Sequence, residues 1–295
     1  MSNYILSCCS TADLSKEHFE RRNIQWLPFH YFLDGKEYPD DLGQTMSFED
    51  FYNAMAEGAD TKTSQVNVEE FTNYFESFLS KGQDVLHISF SSGLSGTYQS
   101  ATIAASMLAE KYPERKLYVV DSLAASSGYG LLMDDLADMR DDGKTMEELR
   151  DFVEANRLRM RHNFFATDLA AFIKGGRISK TSGFVGTLLG ICPLLDMDVN
   201  GKLCPREKVR SKKKVIARIV EKMAEEATEG VNYSGKCYMC NSACMEDAEA
   251  VAALVREKFP NLKGDIVINS IGTTIGSHTG KGTVALFFWS EKERI

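Results

Sequence analysis

Short apolar segments alternate with capped helical segments through the first half of the chain. This alternation constrains the fold more than any other feature. Residues 4–9, 24–29, 85–90 and 117–120 are apolar runs of strand length, the last ending in Asp121. Helix starts lie among them. Ser47 stands three residues before Asp50, Asn67 three before Glu70, and Thr145 three before Glu148, each an N-cap residue with an acid at the third helical position. The helix opened by Asn67 is expected to run to Leu79, one after Gly96 through Leu108, and the one opened by Thr145 toward Met160. Strands joined by helices need crossover connections, which set them parallel in a sheet covered by helices on both faces.

The pattern changes near Asn163. Residues 164–166 read as a strand, and residues 194–205 as a hairpin with Asn200-Gly201 as a type I′ turn signal. A helix carrying Val215, Ile216, Ile219, Val220 and Met223 on one face follows. Then come a strand at 236–240, a helix at 245–258, and strands at 265–271 and 283–289. Strands outnumber helices here, so this half predicts a smaller α/β domain with a mixed sheet. At roughly 150 residues per domain, 295 residues suggest two domains, divided here as 1–160 and 161–295.

Composition removes several function classes. Asp plus Glu number 42 against 34 Lys plus Arg, a net charge of −8. An acidic chain lacks the basic face that phosphate backbones require, which argues against nucleic acid as a partner. The longest apolar run covers residues 284–289, far short of the roughly 20 residues that span a bilayer. No secretory leader pattern opens the sequence, so a cytoplasmic protein is expected. Seven cysteines, an odd number, fit a reducing compartment. Cys237, Cys240 and Cys244 lack further ligands at zinc spacing and are read as buried thiols, with no metal site.

Several loops carry the residue types of a ligand site. Ser91-Ser92-Gly93-Leu94-Ser95-Gly96-Thr97 follows an apolar strand and precedes a helix. Small residues there allow close backbone approach, and a helix N-terminus attracts an anion. Thr61-Lys62-Thr63-Ser64-Gln65 is read as a second, hydroxyl-rich loop. Gly175-Gly176-Arg177 is a third, and residues 272–283 a fourth, with His278 among small residues. The last does not match a phosphate loop: three residues separate Gly276 from Gly280, and Gly282 follows Lys281. Residues 202–214 hold seven basic side chains and one acid, a local basic face suited to an acidic partner. On the residues alone, two readings stand: a binding module for an anionic small molecule, and a hydrolase or phosphotransferase using Ser95 and His278.

These motifs, in this order, resemble the DegV family, which includes the fatty-acid-binding subunits of bacterial fatty acid kinase. The resemblance spans nearly the whole chain. It rests on Ser10-Thr11-Ala12-Asp13-Leu14, Thr63-Ser64-Gln65, Ser92-Gly93-Leu94-Ser95-Gly96-Thr97 and Asp121-Ser122, and further on Gly175-Gly176-Arg177-Ile178-Ser179, Lys208-Val209-Arg210 and Gly276-Ser277-His278-Thr279-Gly280. It implies two α/β domains with one long-chain fatty acid in an apolar tunnel between them. Thr63, Ser64, Ser95, Gly96 and His278 would bind its carboxylate, and Arg177 and Arg210 would serve the headgroup or its presentation to a kinase. It implies a non-catalytic bacterial protein of phospholipid metabolism, without cofactor, whose partner is a separate ATP-dependent kinase subunit. Transient contact with a membrane surface is compatible with that role. About 16 buried methylenes at roughly 0.8 kcal/mol each contribute on the order of 12 kcal/mol before the costs of association. Phe184, Val185, Leu188, Leu189, Ile191, Leu194 and Leu195 are candidate wall residues.

The chain departs from the family pattern at four places. Cys9 replaces Asp, Val66-Asn67 replaces Pro-Ser, Cys192 replaces the Lys before Pro193, and Lys281 replaces Pro. Cys9 is expected to weaken contacts around the binding loop, and Lys281 to add a cation beside His278.

Overall fold

The computed structural model describes residues 4–179 and 190–295. Three sheets organise them. Strands β1 (Tyr4–Cys9), β2 (Gln25–Leu27), β6 (Asp84–Ser89) and β7 (Leu117–Asp121) form an all-parallel sheet in the order β2-β1-β6-β7. Its inner strands are almost wholly buried, because helices cover both faces and leave no side of Leu6, Val85, Leu86 or Ile88 in water. The covering helices are α1 (Lys16–Arg21), α3 (Val68–Leu79), α4 (Thr97–Lys111), α5 (Ser126–Asp141) and α6 (Met146–Asn156). Helices α3 and α6 open with complete capping boxes, Asn67 with Glu70 and Thr145 with Glu148. Helix α3 buries Phe71, Phe75 and Leu79, spaced four apart on one face.

A three-stranded antiparallel sheet interrupts this unit. Strands β3 (His30–Leu33), β4 (Lys36–Pro39) and β5 (Thr61–Ser64) pair in the order β4-β3-β5, with α2 (Phe48–Ala56) connecting β4 to β5. The hydroxyl-rich segment at 61–65, expected as a loop, is therefore largely an edge strand, with Thr63 opposite Tyr31 and Ser64 opposite His30.

The remaining residues build a six-stranded mixed sheet from β8 (Met160–Ala166), β9 (Ile191–Met197), β10 (Leu203–Arg210), β11 (Tyr238–Asn241), β12 (Val267–Ser270) and β13 (Thr283–Trp289). The order is β10-β9-β8-β13-β11-β12, antiparallel except for the parallel pair β11-β12. The β9-β10 hairpin forms as expected, but its turn is not type I′. Only Gly201 is left-handed (φ 67°), and Asp198 closes the loop by accepting the backbone N–H groups of Asn200 and Lys202. Helices α8 (Lys212–Glu226) and α9 (Met245–Lys258) cover one face of this sheet. The other face meets α5, and Phe172 of the short helix α7 (Ala170–Lys174) stacks on Phe164 of β8, while helix α10 (Thr273–Thr279) packs against α7, α2, β3 and β5. His278, expected in a glycine loop, sits in the last turn of α10.

Helix α5 lies between the parallel and mixed sheets and is buried along most of its length. Two glycines make that position accessible. A Cβ on Gly128 would stand 2.5 Å from the Phe287 ring and 2.6 Å from His162 Nε2, and one on Gly130 would stand 2.5 Å from the Ala12 carbonyl. The cysteine spacing is explained by the sheet. Side chains alternate across a strand, so Cys237 packs with α8 and α9 on one face and Cys240 on the other. No group of three metal-ligating side chains occurs among the described residues, and no described helix is long and apolar enough to cross a membrane.

Candidate functional site

A cavity of about 530 Å³ lies on the α5-facing side of the mixed sheet. Thr283, Ala285 and Phe287 of β13 form its floor, with His162 and Phe164 of β8 and Cys240 of β11 beside them. Alternate residues of one strand face one side, so these three positions of β13 form a row with steps of roughly 7 Å. Phe29, Phe90, Phe172, Ile271 and Ile275 complete the apolar walls. Of the candidate wall residues, Ile191, Leu194 and Leu195 do not line the cavity. Leu194 faces α8 and Leu195 belongs to the opposite core, while Phe184, Val185, Leu188 and Leu189 lie outside the described residues.

One end of the cavity is polar. Strand β5 delivers Thr63, Ser64 and the following Gln65; the loop before α4 delivers Ser95 and Gly96; α10 delivers His278; and Arg177 follows α7. Six side chains or backbone positions read from sequence as ligand-facing thus surround one space. Gly96 has no side chain, and this lets Gln65 close over it, held by a 3.0 Å bond from its Nε2 to Ser100 Oγ. Gln65 lies within the Thr63-Ser64-Gln65 motif, but nothing in the sequence marks this role for it. Thr274, Thr279, Ser126, His162, Cys240 and Thr283 also line the cavity, and no spacing in the sequence marks them.

The hydrogen bonds fix the chemistry of this end. Thr63 Oγ1 and His278 Nε2 are 2.7 Å apart. Arg177 Nη1 lies 3.4 Å from His278 Nδ1. A guanidinium only donates, so Nδ1 accepts and the neutral ring carries its proton on Nε2. That proton goes to Thr63 Oγ1, which leaves the Thr63 hydroxyl proton available for an acceptor in the cavity. Burial, with the nearby Arg177 charge, pulls the His278 pKa down to about 4, so the ring is neutral at pH 7. Arg177 also donates to the Gly175 carbonyl (2.6 Å) and to the Leu94 carbonyl (3.2 Å). Among the described residues lining the cavity, Arg177 is the only formally charged one, and it has no salt-bridge partner.

A Ser-His-acid constellation is not assembled here. Ser95 Oγ bonds Thr97 Oγ1 at 2.9 Å, His278 bonds Thr63, and the second nitrogen of His278 meets a guanidinium where a triad histidine meets a carboxylate.

Other candidates lie elsewhere. Arg210 is exposed at the end of edge strand β10, opposite Ile191, and does not line the cavity. Arg206, Lys208 and Arg210 alternate along that edge, where charged side chains oppose pairing with another chain. Lys281 is exposed and also lies outside the cavity lining, so it does not place a cation in the site. Cys9 is buried in the core of the parallel sheet, its N–H donating to Tyr129 Oη at 3.1 Å.

Two buried carboxyls hold α10 in place. Asp13 accepts the Gly272 N–H (3.0 Å) and the Ser126 hydroxyl, and Asp40 accepts the Thr273 hydroxyl (2.9 Å) and the Ser10 hydroxyl (3.2 Å). Both have pKa values raised by burial.

The arrangement is thus an apolar cavity between the parallel-sheet and mixed-sheet units, with hydroxyls and one cation gathered at one end. A family model described as "Uncharacterised protein, DegV family" matches residues 9–291, and the chain belongs to that family. It is 37% identical to a DegV domain-containing protein of Clostridium perfringens, covering 98% of both chains. Among solved structures it is similar to a DegV lipid-binding protein of Thermotoga maritima, with a TM-score of 0.84, 29% identity and full coverage of both chains. It is also similar to a DegV family protein of Thermus thermophilus described by its fatty acid binding, with a TM-score of 0.86, 27% identity, and 98% and 99% coverage of the two chains.

Proposed function

We propose that this chain binds one long-chain fatty acid, with the hydrocarbon over the floor of the mixed sheet and the carboxylate at the polar end. The observation that carries the reading is Arg177, a half-buried cation without a counter-ion at the polar end of the cavity. A buried charge needs a partner, and a ligand carboxylate supplies one. Thr63, Ser64 and Ser95 offer hydroxyl donors, Gly96 leaves the backbone open at the start of α4, and His278 orients Thr63. Residues 1–160 supply the hydroxyls, and residues 161–295 supply Arg177, His278 and the floor, so the ligand joins two lobes. Apolar contact retains the chain, and the headgroup needs only a few directed bonds.

In this reading the protein is a carrier in the cytoplasm. It presents the carboxylate to a separate ATP-dependent kinase, with Arg210 on the exposed edge as a docking residue, and it exchanges its ligand at membrane surfaces. Native mass spectrometry of the purified protein tests the binding step. A single added mass that extraction identifies as a fatty acid, lost in Arg177→Gln and in the Thr63→Val/Ser95→Ala pair, supports it. A protein at its bare mass that fails to take up added palmitate or oleate overturns it. Incubating the loaded protein with a fatty acid kinase subunit and ATP tests presentation: formation of an acyl phosphate supports it, and no product with a kinase active on another carrier overturns it.

A further inference from the structure

The loop that carries Ser95 and Gly96 is held from the other lobe. It begins at Ser91, which is fully buried. The Ser91 carbonyl accepts the N–H groups of Leu94 (3.1 Å) and Ser95 (3.3 Å), which closes the loop on itself. The Ser91 hydroxyl accepts the Gly93 N–H at 3.2 Å and gives its single proton to the Gly201 carbonyl at 2.8 Å. Gly201 stands 110 residues further along the chain, in the turn of the β9-β10 hairpin. The two backbones meet there with no side chain between them. A Cβ on Gly93 would collide with the Asn200 carbonyl oxygen, and one on Gly201 would collide with Ser91 Oγ. The turn itself is closed by Asp198, whose carboxylate accepts the N–H groups of Asn200 and Lys202 at 2.9 Å each.

This loop delivers much of the polar end. Ser95 and Gly96 line the cavity directly, and the Leu94 carbonyl accepts Arg177 Nη2 at 3.2 Å, so the same loop also places the guanidinium. Ser91, Gly93, Asp198, Asn200 and Gly201 do not line the cavity. A hydroxyl that donates to one backbone group and accepts from another fixes the separation of the two. We infer that Ser91 is a positioning residue for the ligand headgroup: through the Gly201 turn and the Ser91 hydroxyl, the hairpin of the mixed-sheet lobe sets where Ser95, Gly96 and Arg177 stand. This rests on the fatty-acid reading above and adds a control of that site by residues the ligand does not touch.

The test is a set of calorimetric titrations with saturated acids from laurate to stearate, using wild type, Ser91→Ala and Asp198→Ala. Ser91→Ala cuts the link and leaves the Gly201 carbonyl and the Gly93 N–H without that partner. Asp198→Ala loosens the turn from its other side, at a partly exposed residue. A fault at the headgroup costs every acid the same factor, whereas a fault in the apolar wall changes the gain in affinity per added methylene. Both variants are expected to bind each acid about tenfold more weakly than wild type, with the gain per methylene unchanged. If either folded variant binds as wild type does, or loses affinity mainly for the longer acids, the inference is overturned and the fatty-acid reading stands. If wild type takes up none of the acids, the fatty-acid reading itself falls. Should Ser91→Ala fail to fold, Asp198→Ala decides the question alone.

Discussion

Thr63 and His278 are 215 residues apart in the chain and hydrogen-bonded at 2.7 Å across the polar end of the cavity. The imidazole gives its Nε2 proton to the threonine oxygen, so the threonine hydroxyl can donate into the cavity. The two residues therefore act as one unit toward an anionic ligand. Thr63→Val is expected to weaken fatty-acid binding roughly 10-fold to 100-fold, the range for a hydrogen bond to a charged group, with Thr63→Ser retaining most of it. His278→Ala added to Thr63→Val should cost little more, because neighbours in one network are not additive. Titration of the double-mutant cycle decides this; additive losses would show that the residues bind independently.

Gly175 offers a way to move His278 without changing it. It ends α7 with ordinary right-handed geometry (φ −75°), which alanine adopts without strain. A Cβ there would collide with His278 Nδ1. Gly175→Ala should thus reduce binding about as much as His278→Ala, with some loss of thermal stability from the same overpacking. A variant that binds normally would show that the position of the ring is unimportant.

The parts of this fold that were legible in the sequence are those whose local signals agree with their final environment. Asn67 with Glu70 and Thr145 with Glu148 are capping boxes in the sequence and in the structure. The buried runs of β1 and β6 needed no tertiary information. Helix α5 was not legible, because Gly128 and Gly130 lower helix propensity and are present for packing against Phe287, His162 and the Ala12 carbonyl. Strand β5 reads Thr-Lys-Thr-Ser, a polar edge whose register is set by β3. Helix α10 is short and rich in Thr and Gly, and it is held by Asp13 and Asp40 from distant parts of the chain. At the site, loops with hydroxyls were visible as residue types. The exposed place of Arg210 depends on packing alone.

Buried Asp13 and Asp40 predict a particular dependence of stability on pH. Burial raises both pKa values above the ordinary 3.8, so the folded state binds protons more tightly than the unfolded chain. Their contribution is most favourable at low pH and falls as pH rises from about 4 through the raised values, then stays constant. Asp13→Asn keeps a residue that tolerates the left-handed backbone there (φ 47°) and removes the titration. Its stability relative to wild type should therefore improve as pH rises, as read from urea midpoints across the range. A difference independent of pH would count against the pair as buried titrating groups.

His278 has the opposite sign. Its pKa of about 4 in the folded protein lies below the ordinary 6.5, so its contribution is complete above about 6.5 and is lost as pH falls toward 4. A carboxylate arriving beside it favours the protonated ring. Near pH 5 the acid also gives up its own proton on binding as the carboxylate, so wild type should take up more protons, net, than His278→Gln, and at pH 8 the two should agree. Calorimetry in two buffers of different ionisation enthalpy measures this directly. The same net proton count in wild type and His278→Gln near pH 5 would contradict the placement of the carboxylate next to this ring.

The end of the β13 row makes the last prediction. His162 and Phe287 meet edge to face, with ring centroids 5.3 Å apart, and both pack on the bare backbone of Gly128. Gly128→Ala improves local helix propensity, which alone would stabilise α5 by somewhat under 1 kcal/mol. Its methyl would instead stand 2.5 Å from Phe287, and overpacking of this kind costs about 1–3 kcal/mol. The packing effect is the larger, so the variant should unfold at lower temperature. Because Phe287 and His162 line the cavity, the same methyl pushes their rings toward the ligand. Long acyl chains should lose more affinity than short ones, as titration across a series of saturated acids would record. A uniform loss at every length would place the His162–Phe287 pair away from the chain terminus.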